Sequence, residues 1–81
     1  MYYTYILKSV NYSKTYTGIT NNLTRRLNQH NNGYQFYTRK YKPWVMIHSE
    51  ILGNRIEARK REKYFKSCAG RKWIKKSFFP N

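Results

Sequence analysis

Apolar and polar positions alternate along the first stretch of the chain. Between Tyr2 and Val10 most residues are aromatic or β-branched, and Tyr3, Tyr5 and Leu7 alternate with Thr4, Ile6 and Lys8. A period of two predicts a β-strand. A polar turn at 11–14 and a second strand-like run at 15–20 follow, which together predict an antiparallel hairpin. Gly18 lies inside the second run, where a glycine is typical of a bulge or of a close approach to the backbone.

Helical spacing replaces this alternation after residue 20. Asn21 or Asn22 can cap a helix of about ten residues in which Leu23 and Leu27 share a face. The sequence at 31–33 predicts the end of this helix, because Gly33 accepts the left-handed conformation that follows a last turn. Residues 34–42 are basic and aromatic and predict a loop. After Pro43, residues 44–52 predict a third strand.

The rest of the chain predicts two helices. Asn54 followed by Glu57 resembles a capping box, and the helix that it starts should run to about Cys68. We expect a break at Ala69-Gly70, then a short basic helix over 71–77, then a tail over 78–81. The buried face of the longer helix should contain Ala58, Glu62, Phe65 and Ala69, and the shorter helix should turn Trp73 and Ile74 inward.

The predicted order of elements is therefore β-β-α-β-α-α. A chain of 81 residues is the size of a single domain, so we expect one domain over residues 1–81. Its predicted fold class is α+β, with a small antiparallel sheet whose apolar surface is covered by helices.

The large excess of basic over acidic residues indicates a negatively charged binding partner. Seventeen Lys and Arg face three acidic residues, which gives a formal charge of +14. Such a surface binds polyanions in a salt-dependent way. Four of the cations precede Arg39 and 13 lie from Arg39 onward, so the second half is the expected contact surface. Nucleic acid is the expected partner, and composition leaves an acidic membrane surface open as the alternative.

Cys68 is the one cysteine of the chain. It can form no internal disulfide, so we expect the protein to work in a reducing cytoplasm. We expect the Cys68 side chain itself to be buried as a small apolar group. Together with His30 and His48 it offers too few ligands, at the wrong spacing, for zinc. No apolar run approaches the about 18 residues of a membrane span, and no secretion signal is recognisable at the start.

Glu62 has two interpretations. A carboxylate on the apolar face of a helix costs free energy unless it is paired. It can form an ion pair with a neighbouring cation, or it can bind Mg²⁺ or Mn²⁺, which prefer oxygen ligands and can be held by one carboxylate with substrate phosphate. Glu57 is explained by the capping box, and Glu50 by surface charge.

Four further side chains are candidates for chemistry. Arg26 and His30 are four residues apart and share a helix face. They form either a solvated basic edge or a site in which Arg26 binds phosphate while His30 contacts a tyrosine or relays a proton. Tyr5 and Tyr16 are either core aromatics or catalytic groups, since a phenol can act as a base only where a cation stabilises its phenolate.

In this order, these residues resemble the GIY-YIG nuclease superfamily. Tyr3-Thr4-Tyr5 is similar to the GIY element and Tyr16-Thr17-Gly18 to the YIG element, with ten residues between them. Tyr3 and Thr4 stand where the name has Gly and Ile. Three later segments, 37–40, 43–44 and 58–63, resemble the short single-domain bacterial branch of this superfamily. That branch is similar to the nuclease domain of excision-repair incision enzymes.

The resemblance implies a mixed fold around a three-stranded antiparallel sheet and a Mg²⁺- or Mn²⁺-dependent endonuclease. It implies that Tyr16 is the base or positions the water, that Tyr5 supports it, and that Arg26 binds the scissile phosphate. It also implies that His30 assists proton transfer and that Glu62 is both catalytic and the metal ligand.

A nucleic-acid substrate, DNA rather than RNA, would be held by cations that contact phosphates without reading sequence. We expect low sequence specificity, a preference for branched or flapped structures, a role in DNA repair and a monomeric protein. The alternatives are a non-catalytic binding module of the same fold and a small basic structural protein. The cations expected to contact nucleic acid are Arg39, Lys40, Lys42, Arg59 and Lys63.

Overall fold

A three-stranded antiparallel sheet forms the middle of the protein, whose structure, a computed structural model, is described for residues 1–79. The spatial order of its strands is β2-β1-β3, so that β1 pairs with both neighbours. The strands are β1 (Tyr2–Ser9), β2 (Thr15–Thr20) and β3 (Trp44–Leu52). The predicted bounds of β2 and β3 agree with the structure, and β1 ends one residue earlier than predicted.

Helices cover the sheet on both sides. They are α1 (Leu23–Asn31), α2 (Phe36–Lys40), α3 (Arg55–Lys66) and α4 (Cys68–Phe78). This arrangement confirms the predicted α+β class, the three-stranded sheet and the predicted order of the main elements. The structure adds α2, a short helix within the segment predicted to be a loop.

The central strand β1 is buried on both faces. Tyr5 and Leu7 pack with Trp44 on the face that α1 covers, where Leu23 and Leu27 join them. Ile6 points to the other face and packs with Phe65 of α3 and Ile74 of α4. The Thr4 hydroxyl also points that way and donates to the carbonyl of Ala58 in α3 at 2.7 Å. The protein therefore has three layers, with the sheet between two helical layers.

Local capping agrees with the sequence. The Asn22 side chain accepts a hydrogen bond from the backbone N–H of Arg25 at 3.0 Å, and Gly33 has a φ of +82° after α1. The Asn54 side chain accepts from the backbone N–H of Glu57 at 2.9 Å. The Glu57 carboxylate pairs with Lys60 at 3.6 Å. Of the two hydrogen bonds of a capping box, the one accepted by the asparagine side chain is therefore the one formed.

The junction of α3 and α4 differs from the prediction. The break is at Ser67, whose hydroxyl caps α4 by accepting from the N–H of Gly70 at 3.3 Å. Gly70 lies inside α4 and is buried against α3, where a Cβ would lie 2.5 Å from the Cα of Phe65. The glycine therefore allows the two helices to approach each other rather than ending one of them.

Three burial expectations near this junction are wrong. Cys68 and Ala69 are exposed, because both point to other sides of α4 than Gly70, which is the position that packs against α3. Trp73 is 38 % exposed, while Ile74 is buried as predicted. The two side chains point about 100° apart around the helix, so one helix face cannot bury both equally.

The predicted tail is shorter in the structure. Phe78 is the last residue of α4, and Phe79 packs partly against the cluster of Ile6, Phe65 and Ile74. Pro80 and Asn81 lie outside the described residues. Among the helices of residues 1–79, none combines the length and the apolar composition that crossing a bilayer requires.

Candidate active site

Tyr5 is the buried centre of the candidate site. It is 1 % exposed, and Gly18 is its partner across the β1–β2 ladder. A Cβ at position 18 would lie 2.6 Å from the Tyr5 hydroxyl and 2.8 Å from Cζ. The tyrosine ring thus crosses over the neighbouring strand in the space that the missing side chain leaves, which explains the glycine inside β2.

The Tyr5 hydroxyl contacts two side chains of α1, and one of them continues the hydrogen-bond network to α2. It is 2.9 Å from His30 Nε2 and 3.4 Å from Arg26 Nε. His30 Nδ1 is 2.8 Å from the Thr38 hydroxyl, which is itself 3.4 Å from the carbonyl of Gln35. Helical spacing had predicted that Arg26 and His30 share a face, and their common contact with Tyr5 shows which surface that face meets.

The direction of these hydrogen bonds follows from the donors available. A guanidinium only donates, so Arg26 donates to the Tyr5 oxygen. We assign the Tyr5 proton to His30 Nε2, because that nitrogen is the acceptor within reach of the buried hydroxyl. His30 is then protonated on Nδ1 and donates to Thr38. The chain of donors runs from Arg26 through Tyr5 and His30 to Thr38.

Burial keeps both rings of this chain neutral at physiological pH. It raises the pKa of Tyr5 to about 12, with further increases from the nearby Tyr16 and Glu62 charges, against the lowering effect of the Arg26 hydrogen bond. Burial, and next the Arg26 charge, lower the pKa of His30 to about 4. Tyr5 is therefore a phenol, and His30 an uncharged acceptor, at neutral pH.

Tyr16 faces the solvent side of this network. Its ring centroid is 4.9 Å from that of His30 and 6.4 Å from that of Tyr5, and its hydroxyl accepts from the Gln35 side chain at 3.1 Å. The ring lines a cleft of about 280 Å³ at the edge of the sheet formed by β2. Tyr37 extends the Tyr16 side of this cleft, and Lys66 and Arg71 line the α3 and α4 side.

Glu62 lies on the α3 side of the same region. Its side chain is 11 % exposed, and its two oxygens are 3.3 Å from Arg59 Nη1 and 3.2 Å from Lys66 Nζ. Within residues 1–79 these cations, and not the tyrosines, are its hydrogen-bond partners. Its charge makes the smallest of the contributions to the raised pKa of Tyr5, so the link between the carboxylate and the tyrosine is a weak electrostatic one.

The donors at this position fit a hard divalent cation. Both side chains that pair with Glu62 are about half exposed, so they can turn toward solvent and leave the carboxylate oxygens available. No group of three or more His, Cys, Asp or Glu lies together among residues 1–79. Mg²⁺ commonly keeps several waters and needs one or two carboxylates with substrate phosphates, which is the donor set that Glu62 and a bound phosphate would provide.

The cations predicted to contact nucleic acid lie on two surfaces outside the cleft. Arg39 and Lys40 are on α2, with their charges 5.5 and 4.5 Å from the centroid of the Phe36 ring, and Lys42 is exposed just after that helix. The others line a separate cavity on α3, which is formed by Arg55, Ile56, Arg59, Lys60 and Lys63.

Sequence patterns alone missed four residues of this region. Gln35 and Thr38, which hold Tyr16 and His30, lie in the segment predicted to be a loop, and their partners lie 19 and 8 residues away. Lys66 and Arg71, the cations of the cleft, have no local feature that separates them from the many other cations of the second half. The signal available for Thr38 was the resemblance of segment 37–40 to the short bacterial branch, which assigned no role to this residue.

Comparisons with known proteins agree with this architecture. A family model described as the GIY-YIG catalytic domain matches residues 1–76. A UPF0213 protein of Clostridium perfringens is 46 % identical over 67 residues, which are 82 % of this chain and 71 % of the relative. A UPF0213 protein of Staphylococcus haemolyticus is 33 % identical over 75 residues, which are 91 % and 90 % of the two chains.

A solved structure has the same fold. The solution NMR structure of a UPF0213 protein from Bacillus halodurans matches with a TM-score of 0.53 and 28 % identity, and the match covers 90 % of this chain and 80 % of that one. The name shared by these proteins states no activity, substrate or metal.

Proposed function

The chain belongs to the GIY-YIG family of nuclease domains, and from that premise we propose that it is a Mg²⁺- or Mn²⁺-dependent endonuclease of low sequence specificity. Its substrate is nucleic acid, DNA rather than RNA, and it acts as a cytoplasmic monomer. The observation that supports this most is the chain of hydrogen bonds from Arg26 through Tyr5 to His30, which lies directly behind Tyr16 in a cleft bordered by cations.

In this proposal Tyr16 is the group that meets the attacking water. It is the tyrosine of the pair whose ring lines the cleft, whereas the buried Tyr5 has a pKa near 12 and keeps its proton. Tyr5 therefore serves as a hydrogen-bonding group and not as a base. With Gln35 donating to its oxygen, Tyr16 is oriented to position the water or to accept its proton.

Arg26 and His30 complete the site from α1. Arg26 also donates to Gln29 at 2.9 Å, which holds the guanidinium beside Tyr5, where it can bind the scissile phosphate and stabilise the charge that develops on it. His30 is a positioning residue, because as a neutral acceptor it fixes the Tyr5 hydroxyl, and its burial prevents contact with the substrate.

Glu62 is the residue that would hold the divalent cation. When bound, such an ion supplies Lewis-acid stabilisation of the phosphate and of the leaving oxygen. For this role Arg59 and Lys66 must release the carboxylate, and both can then pair with phosphates of the substrate. Arg39, Lys40, Lys42, Arg59 and Lys63 are the proposed contacts along the rest of the nucleic acid.

One observation favours a second candidate function. Both oxygens of Glu62 have cationic partners within the protein, which is the arrangement expected if this carboxylate is structural. The protein would then be a basic nucleic-acid-binding module with the same fold and no cleavage.

The experiment that separates the two is cleavage of plasmid and of flapped DNA in Mg²⁺ or Mn²⁺. We expect Glu62→Gln and Tyr16→Phe to lower the rate at least about a hundredfold while binding is retained. Glu57→Gln is the matched control, because it removes one negative charge from the same helix at a half-exposed position. It should cut like the wild type.

Each of the other results has a definite meaning. Equal cutting by the Glu62 and Glu57 variants would refute the metal role of Glu62, or would reveal a contaminating nuclease if Tyr16→Phe also cut equally. A wild-type protein that binds every substrate and cuts none would establish the binding module instead.

A further inference from the structure

The cleft beside Tyr16 has one aromatic and one cationic wall. Tyr16 and Tyr37 form the first, with ring centroids 6.2 Å apart, and Tyr37 is 41 % exposed. Lys66 and Arg71 form the second. A strand of nucleic acid needs both kinds of wall, because its bases stack on aromatic rings while its phosphates pair with cations.

A second cavity of about 340 Å³ continues this cleft toward the turn between β1 and β2. Thr15, Arg71 and Ile74 line both cavities, so the two adjoin and Arg71 stands at their junction. The second cavity is completed by Ser13, Lys75 and Phe79. We call the two cavities together the α4 groove. Among residues 1–79, no acidic residue lines this groove.

The cations of α4 divide into two pairs around the helix. Arg71 and Lys75 are four residues apart, share a face and line the α4 groove. Lys72 and Lys76 have the same spacing and are also exposed, but they line neither cavity of the groove. The face of α4 that contains Arg71 and Lys75 therefore borders the α4 groove, which extends to Tyr16, whereas the face that contains Lys72 and Lys76 does not.

We propose that the α4 groove binds a single strand of the substrate on one side of the scissile phosphate. Arg71 and Lys75 contact successive phosphates, and Tyr37 stacks on an unpaired base beside Tyr16. This inference rests on the proposed nuclease function and adds a substrate class to it, nucleic acid that is single-stranded next to the cut. A base that remains paired in a duplex is already stacked on its neighbours, so the Tyr37 face selects the unpaired strand.

Binding without cleavage tests the groove separately from the enzyme activity. The full chain is titrated with a fluorescent single-stranded oligonucleotide in EDTA at several salt concentrations. Arg71→Gln/Lys75→Gln should weaken binding about tenfold, and the slope of log affinity against log salt should become shallower by about 1.4, since two phosphate contacts on a single strand are lost.

Lys72→Gln/Lys76→Gln is the matched control, because it removes the same charge from the same helix. Its affinity should stay within about twofold of the wild type, apart from the general effect of a lower net charge. Equal losses in the two double variants would overturn the proposal, since the binding would then depend on total charge alone. A duplex of the same length is the second arm, and a loss for duplex as large as that for the single strand would also refute it.

Stacking has its own readout. A 2-aminopurine placed in the oligonucleotide loses fluorescence when it stacks on an aromatic ring. Tyr37→Ala should abolish the quenching at one position of the strand and lower affinity at least about fivefold, whereas Tyr34→Ala, at a more exposed tyrosine outside the groove, should do neither. Unchanged quenching in Tyr37→Ala would contradict the stacking role.

Failure of the groove and failure of the nuclease proposal give different results. A protein that cuts DNA but binds single strands equally well in both double variants has the activity and not the groove. A protein that never cuts but shows the difference between the double variants has the groove and not the activity.

Discussion

Mild acid should destabilise the protein through His30. Burial and the Arg26 charge lower the pKa of this imidazole to about 4 in the folded state, against about 6.5 in an unfolded chain. Between these two pH values the unfolded state holds a proton that the folded state lacks. Stability is therefore full above about pH 6.5 and falls as the pH decreases toward 4.

The magnitude follows from the same two values. At about 1.4 kcal/mol per pH unit, the interval between 6.5 and about 4 corresponds to a loss of about 3 kcal/mol. A domain of this size has a total stability of roughly 4–12 kcal/mol, so a loss of this size is easily measured. Its structural cause is that a protonated His30 can no longer accept the hydrogen bond from the Tyr5 hydroxyl.

Urea denaturation followed by tryptophan fluorescence, at intervals from about pH 7 to about pH 4.5, measures this effect. The wild-type free energy of unfolding should fall across the range. His30→Gln cannot titrate, so its curve should be nearly flat, whatever its absolute stability.

Glu50 does not interfere in this window. Its pKa is lowered, first by the hydrogen bonds from Arg61 and also by His48, so its contribution is present above its unfolded value and is lost only as the pH falls toward the lower folded value. A wild-type curve as flat as that of His30→Gln would show that the imidazole is not buried in the neutral form, and the hydrogen-bond directions assigned to Tyr5 would be wrong with it.

Two glycines give further predictions about packing. Gly70→Ala places a Cβ against the backbone of α3, which cannot move aside locally, so we expect a loss of more than about 3 kcal/mol in urea denaturation. Gly53→Ala is its control, because open space surrounds that position and the change should stay within about 1 kcal/mol of the wild type. Gly18→Ala meets the Tyr5 hydroxyl at 2.6 Å and should cost about 1–3 kcal/mol, and it should lower cleavage even at temperatures where the variant is folded. A Gly70 variant as stable as the Gly53 variant, or a Gly18 variant with wild-type cleavage, would contradict these contacts.

The sequence by itself determined the local structure of this protein. The alternation in the first strand, the asparagine caps at 22 and 54 and the positive φ of Gly33 each depend on residues close together in the chain. Contacts of that kind are governed by backbone geometry, which neighbouring side chains set, so the three strands and the two longest predicted helices could be located. The pairing of Arg26 with His30 on one face could be predicted for the same reason.

Local patterns predicted secondary structure and burial less well where a segment was short or where its residues fitted two interpretations. The α2 helix has five residues, which is too few to show a period, so its segment was taken for a loop. Gly70 was interpreted as a helix break because glycine is typical of helix ends, whereas packing against α3 is the reason for it here. Cys68 was expected to be buried, and its exposure depends on how α4 is placed.

Only the tertiary structure decided how the candidate site is assembled. Tyr5 and His30 are 25 residues apart, and Tyr16 and Gln35 are 19 apart, so their hydrogen bonds exist only once the sheet and α1 have packed. Lys66 and Arg71 became cleft residues, and Lys72 did not, because the rotation of α3 and α4 against β2 chooses which cations face Tyr16. The sequence determines which side chains carry ionisable groups. The low pKa of His30 and the high pKa of Tyr5 come from burial, which exists only in the folded molecule.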